Sequence, residues 1–134
     1  TMVVDGVAPF LMDEESWTDL MMDSVVVGCD AIKLDGGVIN KVWSYSVWLS
    51  ALYANVPVYI AGNLLKVDVH DNIHIEKRLA SEVWEDAPGG LNVLNFAFDK
   101  MPPKFIRGII TKFGIIKPRD ILSHIKFVNL LLSL

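Results

Sequence analysis

Apolar and polar positions divide the chain into short, alternating segments. Val25–Val27 is purely β-branched and stops at Gly28-Cys29-Asp30, so it is the clearest strand. A run without polar alternation suits a parallel strand covered on both faces. Val58–Ile60 is a second strand of this type, and Leu91–Phe98 a third. Met2–Val4 is a short β-branched run ending at the turn signal Asp5-Gly6. Between the strands the period changes to that of a helix. Val42, Tyr45, Trp48, Leu49, Leu52 and Tyr53 predict a helix over Asn40–Ala54, with Asn40 as its N-cap and Asn55 and Pro57 as its stop. Phe10–Met22 is acidic and helix-compatible, with Leu11, Leu20, Met21 and Met22 as candidate core residues. Pro102-Pro103 predicts a helix start running through Thr111 and ending at Gly114. Arg119–Leu134 reads as a last amphipathic helix. One of its apolar stripes is Ile121, Leu122, Ile125, Val128 and Leu132; the other is Phe127, Leu130, Leu131 and Leu134. Two stripes point to a partner surface beside the core contact. Asp35-Gly36-Gly37 is a turn, and Val67–Lys77 and Ala87–Gly90 are loops. Alternating strands and helices predict an α/β domain with a mostly parallel sheet. Ligands of such folds sit at the carboxyl ends of the strands, which places Asp5, Asp30 and Asp99 near one rim.

Composition narrows the class. At 134 residues the chain is a single domain, residues 1–134, able to bury roughly 68% of its unfolded surface without a metal or disulfide staple. Apolar residues make up 52% and charged residues 21%, which excludes a disordered tail. No apolar run approaches the ~18 residues of a membrane span. Thr1–Asp5 lacks the basic start of a signal peptide, and the lone Cys29 suits a reducing compartment, so a cytoplasmic protein is expected. The net charge is −4 and the basic residues are scattered, which argues against nucleic acid as a direct partner.

Three ordered blocks resemble one family. Val25–Asp30 followed by Asp35–Lys41 resembles a strand, Gly-Ala-Asp, a short turn and Asn-Lys. Val56-Pro-Val-Tyr-Ile60 resembles the family's strand after the helix. Asn95–Asp99, Pro102, Ile109–Thr111, Gly114–Ile116 and Pro118 resemble its last block. The family joins the regulatory subunits of translation initiation factor 2B to isomerases of methylthioribose 1-phosphate and ribose 1,5-bisphosphate. The resemblance implies a three-layer Rossmann-like domain that pairs with its copy as a homodimer. It covers only the family's C-terminal part. The family's catalytic cysteine and phosphate-gripping arginine loop belong to the N-terminal part, so the chain alone is not expected to isomerise anything. A fragment and a natural half both remain open.

On this resemblance Asp30 is the catalytic aspartate, and Asn40 and Lys41 bind substrate. A carboxylate at a strand end can move protons between sugar oxygens, and a lysine beside free helix N–H groups can hold a phosphate. Read without the resemblance, Asp30 is a turn aspartate, Asn40 a helix cap and Lys41 a solvated lysine. Ala31 after Asp30, with Gly37–Lys41, looks more like the ribose 1,5-bisphosphate branch. The pattern also breaks. Trp43 stands where the family has glycine, Ser44 where it has threonine, Glu76–Ala80 replaces Glu-Arg-Asp-Pro, and Phe96 follows Asn95 in place of proline. The second expectation is therefore a non-enzymatic scaffold related to the initiation-factor subunits that senses sugar phosphate or nucleotide. Cys29 is expected to be buried and inert. His70, His74, Asp68, Asp71 and Glu76 read as a solvated loop and Asp13–Glu15 as a solvated face; His124 reads as exposed or interfacial. Neither a cofactor nor a resident metal is expected.

Overall fold

The computed structural model describes residues 2–13, 22–70 and 72–132. In chain order the elements are α1 (Ala8–Leu11), β1 (Val25–Val27), β2 (Ala31–Lys33), β3 (Val38–Lys41), α2 (Ser44–Tyr53), β4 (Val58–Ala61), β5 (Val67–Asp68), β6 (Phe98–Met101), β7 (Gly108–Thr111), β8 (Gly114–Ile116) and α3 (Ile121–Leu132). Single turns of 3-10 helix punctuate the connections.

Two four-stranded sheets organise these elements, in the orders β1-β4-β7-β8 and β5-β2-β3-β6. In the first, β1, β4 and β7 are parallel, with Val27 beside Ile60 and Ile60 beside Ile109; β8 is antiparallel to β7. In the second, β3 is antiparallel to both β2 and β6, and only β5 runs parallel to β2. The fold is therefore mixed α/β, and the expectation of one mostly parallel sheet is corrected. The turns Leu34–Gly37 and Lys112–Phe113 are too short for a crossover, so the strands they join must be antiparallel.

The core is built mainly from β-branched residues of both sheets. Ile32, Val38, Ile60, Met101, Ile109 and Ile121 are fully buried with Trp48 of α2. Each such aliphatic side chain contributes about 1.5–3 kcal/mol on leaving water. Val26 departs from the expectation of a strand covered on both faces: it is 56% exposed, because β1 is an edge strand and alternate residues face opposite ways.

Three other expected elements change. The helix begins at Ser44, not Asn40, because Val38–Lys41 pairs with β2 and β6. Its end is as expected. Asn55 takes φ 55°, Val56 N–H donates to Ala51 O at 2.8 Å and Asn55 N–H to Leu52 O at 3.2 Å, a Schellman stop. The helix expected over Pro102–Thr111 is one 3-10 turn, Pro103–Phe105, followed by β7. Gly108 lets β8 approach, since a Cβ there would lie 2.5 Å from Ile115 Cγ2. The strand expected over Leu91–Phe98 is irregular until Phe98. There Asn95 O accepts Arg78 N–H at 2.8 Å and Ala97 N–H donates to Glu76 O at 3.1 Å, so the last resembling block meets the segment Glu76–Ala80, where the pattern breaks.

The last helix begins at Ile121, with Ile121 and Ile125 buried and Leu122 and Phe127 exposed. The side chains of Val128 to Leu132 lie outside the described residues, as do Glu14–Met21 of the expected first helix.

Candidate functional site

Asp30 lies between the two sheets, just past the carboxyl end of β1 and just before β2. Its N–H donates to Ile39 O at 2.8 Å, while Ala31 is already paired with Ile39. Two residues thus oppose one, the arrangement of a β-bulge, which re-aims side chains where regular pairing ends. The Asp30 side chain is exposed, and no hydrogen bond or ion pair reaches its carboxylate among the described residues.

Asn40 follows Ile39 on β3, so strand and bulge bring Asp30 and Asn40 together although ten residues separate them in sequence. Asn40 is paired across the sheet with Asp99 of β6. Directly opposed residues share a face, so the Asp99 carboxylate and the Asn40 amide lie on one side of this sheet. Lys41 comes next on the strand and faces the other way. There its ammonium sits 4.4 Å above the ring of Phe98, its cross-strand partner. Asn40 and Lys41 therefore point to opposite faces.

This corrects the expected phosphate site. Lys41 is not at the start of α2, and Asn40 is not its cap. The N–H of Tyr45 in the first turn donates to Asp99 Oδ2 at 2.9 Å. A carboxylate from the neighbouring strand thus provides negative charge where a phosphate was expected. Asp99 lies inside β6, not beyond a strand end, and Asp5 opens a 3-10 turn, so neither stands on the rim where strand counting put it.

Trp43 flanks α2 with φ 87° and is 72% exposed, so its indole fills no corner of the site. A left-handed conformation is easy for glycine and costly for an aromatic residue. The backbone thus explains why a glycine fits here and what its replacement changes: strain, with the ring turned outward.

Cys29 is buried at 4% exposure. Burial pushes its thiol above the usual range; nearby Lys66 opposes this and Asp30 adds to it. The Lys66 ammonium donates to Cys29 O at 2.5 Å. Lys66, from a 3-10 turn before β5, is thus a cation on the carbonyl that precedes Asp30, which no spacing in the sequence reveals. In the histidine loop, Asp68 accepts His70 N–H at 3.0 Å and Asn72 N–H at 2.7 Å, and so closes its own turn; Asp71 lies outside the described residues. His124 Nδ1 lies 2.9 Å from Asp120 O, one helical turn back.

Residues 1–118 match the model of the Initiation factor 2 subunit family. The chain belongs to that family. It is 38% identical over 136 residues to a methylthioribose-1-phosphate isomerase of Acaryochloris marina, covering 92% of this chain and 37% of that protein. It is 40% identical over 125 residues to the enzyme of that name from Thermotoga neapolitana, covering 87% and 35%. Among solved structures, the 5-methylthioribose 1-phosphate isomerase of Pyrococcus horikoshii matches with a TM-score of 0.76 and 28% identity, over 94% of this chain and 37% of that one. The delta subunit of translation initiation factor eIF-2B from A. fulgidus matches with 0.72 and 28%, over 92% and 38%. The chain thus spans little more than a third of the length of these relatives.

Proposed function

We propose that this chain is the C-terminal, substrate-binding half of an aldose–ketose sugar-phosphate isomerase, a three-layer Rossmann-like domain that pairs with a copy of itself in the cytoplasm. The observation that carries this reading is Asp30: an exposed carboxylate at a bulge past a parallel strand, beside Asn40. Isomerisation needs a group that takes a proton from one atom of the sugar and returns one to its neighbour, and a carboxylate at such an edge serves. Asp30 has this role. The Asn40 amide orients a sugar oxygen. Lys41 faces the other side of the sheet, over the ring of Phe98, and takes no part in this reading. The resemblance places the family's thiol in its N-terminal part, and Cys29 is buried, so the chain by itself binds substrate without turning it over.

Methylthioribose 1-phosphate is the substrate named for the isomerase relatives. Ala31 and the segment Gly37–Lys41 favour ribose 1,5-bisphosphate. The test is calorimetric titration with both sugars, with turnover assayed in the same samples. The expected result is saturable binding of one of them, weakened about tenfold in Asn40→Ala, with no turnover. Turnover abolished by Asp30→Asn would overturn the inactivity of the isolated chain. Failure of both sugars to bind would favour the second reading, a non-enzymatic scaffold like an initiation factor 2B subunit. That reading draws on the likeness to the delta subunit and on Trp43 at the family's glycine.

A further inference from the structure

The parallel strands have a second edge, at their amino ends, and it is concave. A cleft of about 930 Å³ opens there between the end of α2, the start of β4, and the segments leading into β7 and α3. Four of the chain's twelve Lys and Arg residues line it: Lys104, Arg107, Lys117 and Arg119. The carboxylate lining it is Asp35, which already accepts Gly37 N–H at 2.9 Å and pairs with Lys33 at 3.5 Å. The cleft is thus strongly positive in a chain whose net charge is −4.

The cations are differently engaged. Arg119 reaches Asp120 at 3.8 Å at a highly exposed position, and Lys104 lies 4.9 Å over the ring of Phe105. The side chains of Arg107 and Lys117 have no hydrogen bond or ion pair among the described residues. Gathering cations in one concavity is unfavourable unless an anion offsets their repulsion. The cleft also has an apolar side, where Tyr59 and Phe105 offer flat ring surface. Apolar walls with a few charged groups are the usual anatomy of a small-molecule site, and the guanidinium fork matches phosphate.

We infer that this cleft binds an organic phosphate that carries at least two negative charges and a flat apolar moiety. The phosphates lie against Arg107 and Lys117, and the flat moiety against Tyr59 and Phe105. The site stands at the opposite strand edge from Asp30, so it does not rest on the isomerase reading.

The experiment titrates the full chain with ATP and, separately, with inorganic tripolyphosphate. ATP should bind saturably, one per chain, and more tightly than tripolyphosphate. Arg107→Ala and Lys117→Ala should each weaken ATP about tenfold. Both residues are exposed, so the variants should melt like the parent. Phe105→Leu should weaken ATP while leaving tripolyphosphate unchanged. Asp30→Asn should leave ATP binding intact. Absence of saturable binding, insensitivity to Arg107→Ala and Lys117→Ala, or loss of ATP binding in Asp30→Asn would each overturn the assignment. Equal affinity for tripolyphosphate would overturn the apolar half of it.

Discussion

The carboxylate of Asp99 accepts the N–H of Tyr45 at 2.9 Å, joining β6 to the first turn of α2 across 54 residues of sequence. The bond satisfies a helix N–H that has no partner within the helix, and it sets a negative charge at the positive end of the helix. No side chain from the residue flanking α2 makes this bond, since Trp43 cannot cap.

Asp99→Ala should therefore destabilise the protein by about 1–2 kcal/mol, the upper part of the range for a lost cap. Asp99→Asn, which keeps an acceptor and loses the charge, should lose about 0.3–1 kcal/mol. Urea unfolding of the two variants measures both. Equal stability of all three proteins would show that water replaces the carboxylate without loss.

Trp43→Gly should stabilise the fold. The position has φ 87° and the indole is 72% exposed, so glycine relieves strain and forfeits little burial. Relief of about 1–2 kcal/mol is partly offset by glycine's larger unfolded-state entropy, leaving a gain of roughly 0.5–1 kcal/mol. Thermal denaturation would show a raised midpoint; a lowered one would mean that the ring makes contacts worth more than the strain.

Gly36 and Gly90 share a left-handed backbone, with φ 83° and 87°, but not their surroundings. A Cβ on Gly36 would lie 2.3 Å from Pro118 O, whereas one on Gly90 meets nothing within 4 Å. Gly90→Ala should lose about 1–2 kcal/mol, from backbone strain alone. Gly36→Ala should lose clearly more, because it also pushes the β2–β3 turn off the segment before α3. Matching losses in denaturant titrations would mean that the turn does not depend on that contact.

Cys29 should be nearly inert in the native state. Burial raises its thiol, with Lys66 opposing and Asp30 adding to the rise. Iodoacetamide at pH 8 should label the folded chain far more slowly than the unfolded one, read by mass. The pH dependence follows from the direction of the shift. A folded value above the unfolded ~8.5 means the folded state holds the proton longer. Its contribution is present in full below about pH 8.5 and is lost as the pH rises through the folded value. Cys29→Ser should remove that part of the alkaline loss.

Strands and helix ends set by local chemistry were legible in the sequence. Val25–Val27 and Val58–Ile60 are strands because consecutive β-branched and aromatic residues suit a pleated, buried surface. The stop at Asn55 was readable because asparagine tolerates a positive φ. The resemblance singled out Asp30 and Asn40, and the backbone bond from Asp30 N–H to Ile39 O sets them on neighbouring strand ends. What the tertiary structure decided is everything that depends on pairing at a distance. Asn40 and Lys41 suit a helix start in isolation, but β2 and β6 on either side make them a strand and turn their side chains to opposite faces. Ile109–Thr111 follows a proline pair that could open a helix, yet β4 and β8 draw it into the sheet. In each case two neighbouring strands supply backbone hydrogen bonds that outweigh a local preference of a few tenths of a kcal/mol per residue, and one of the two, β6 for Asn40-Lys41 and β4 for Ile109–Thr111, lies tens of residues away along the chain.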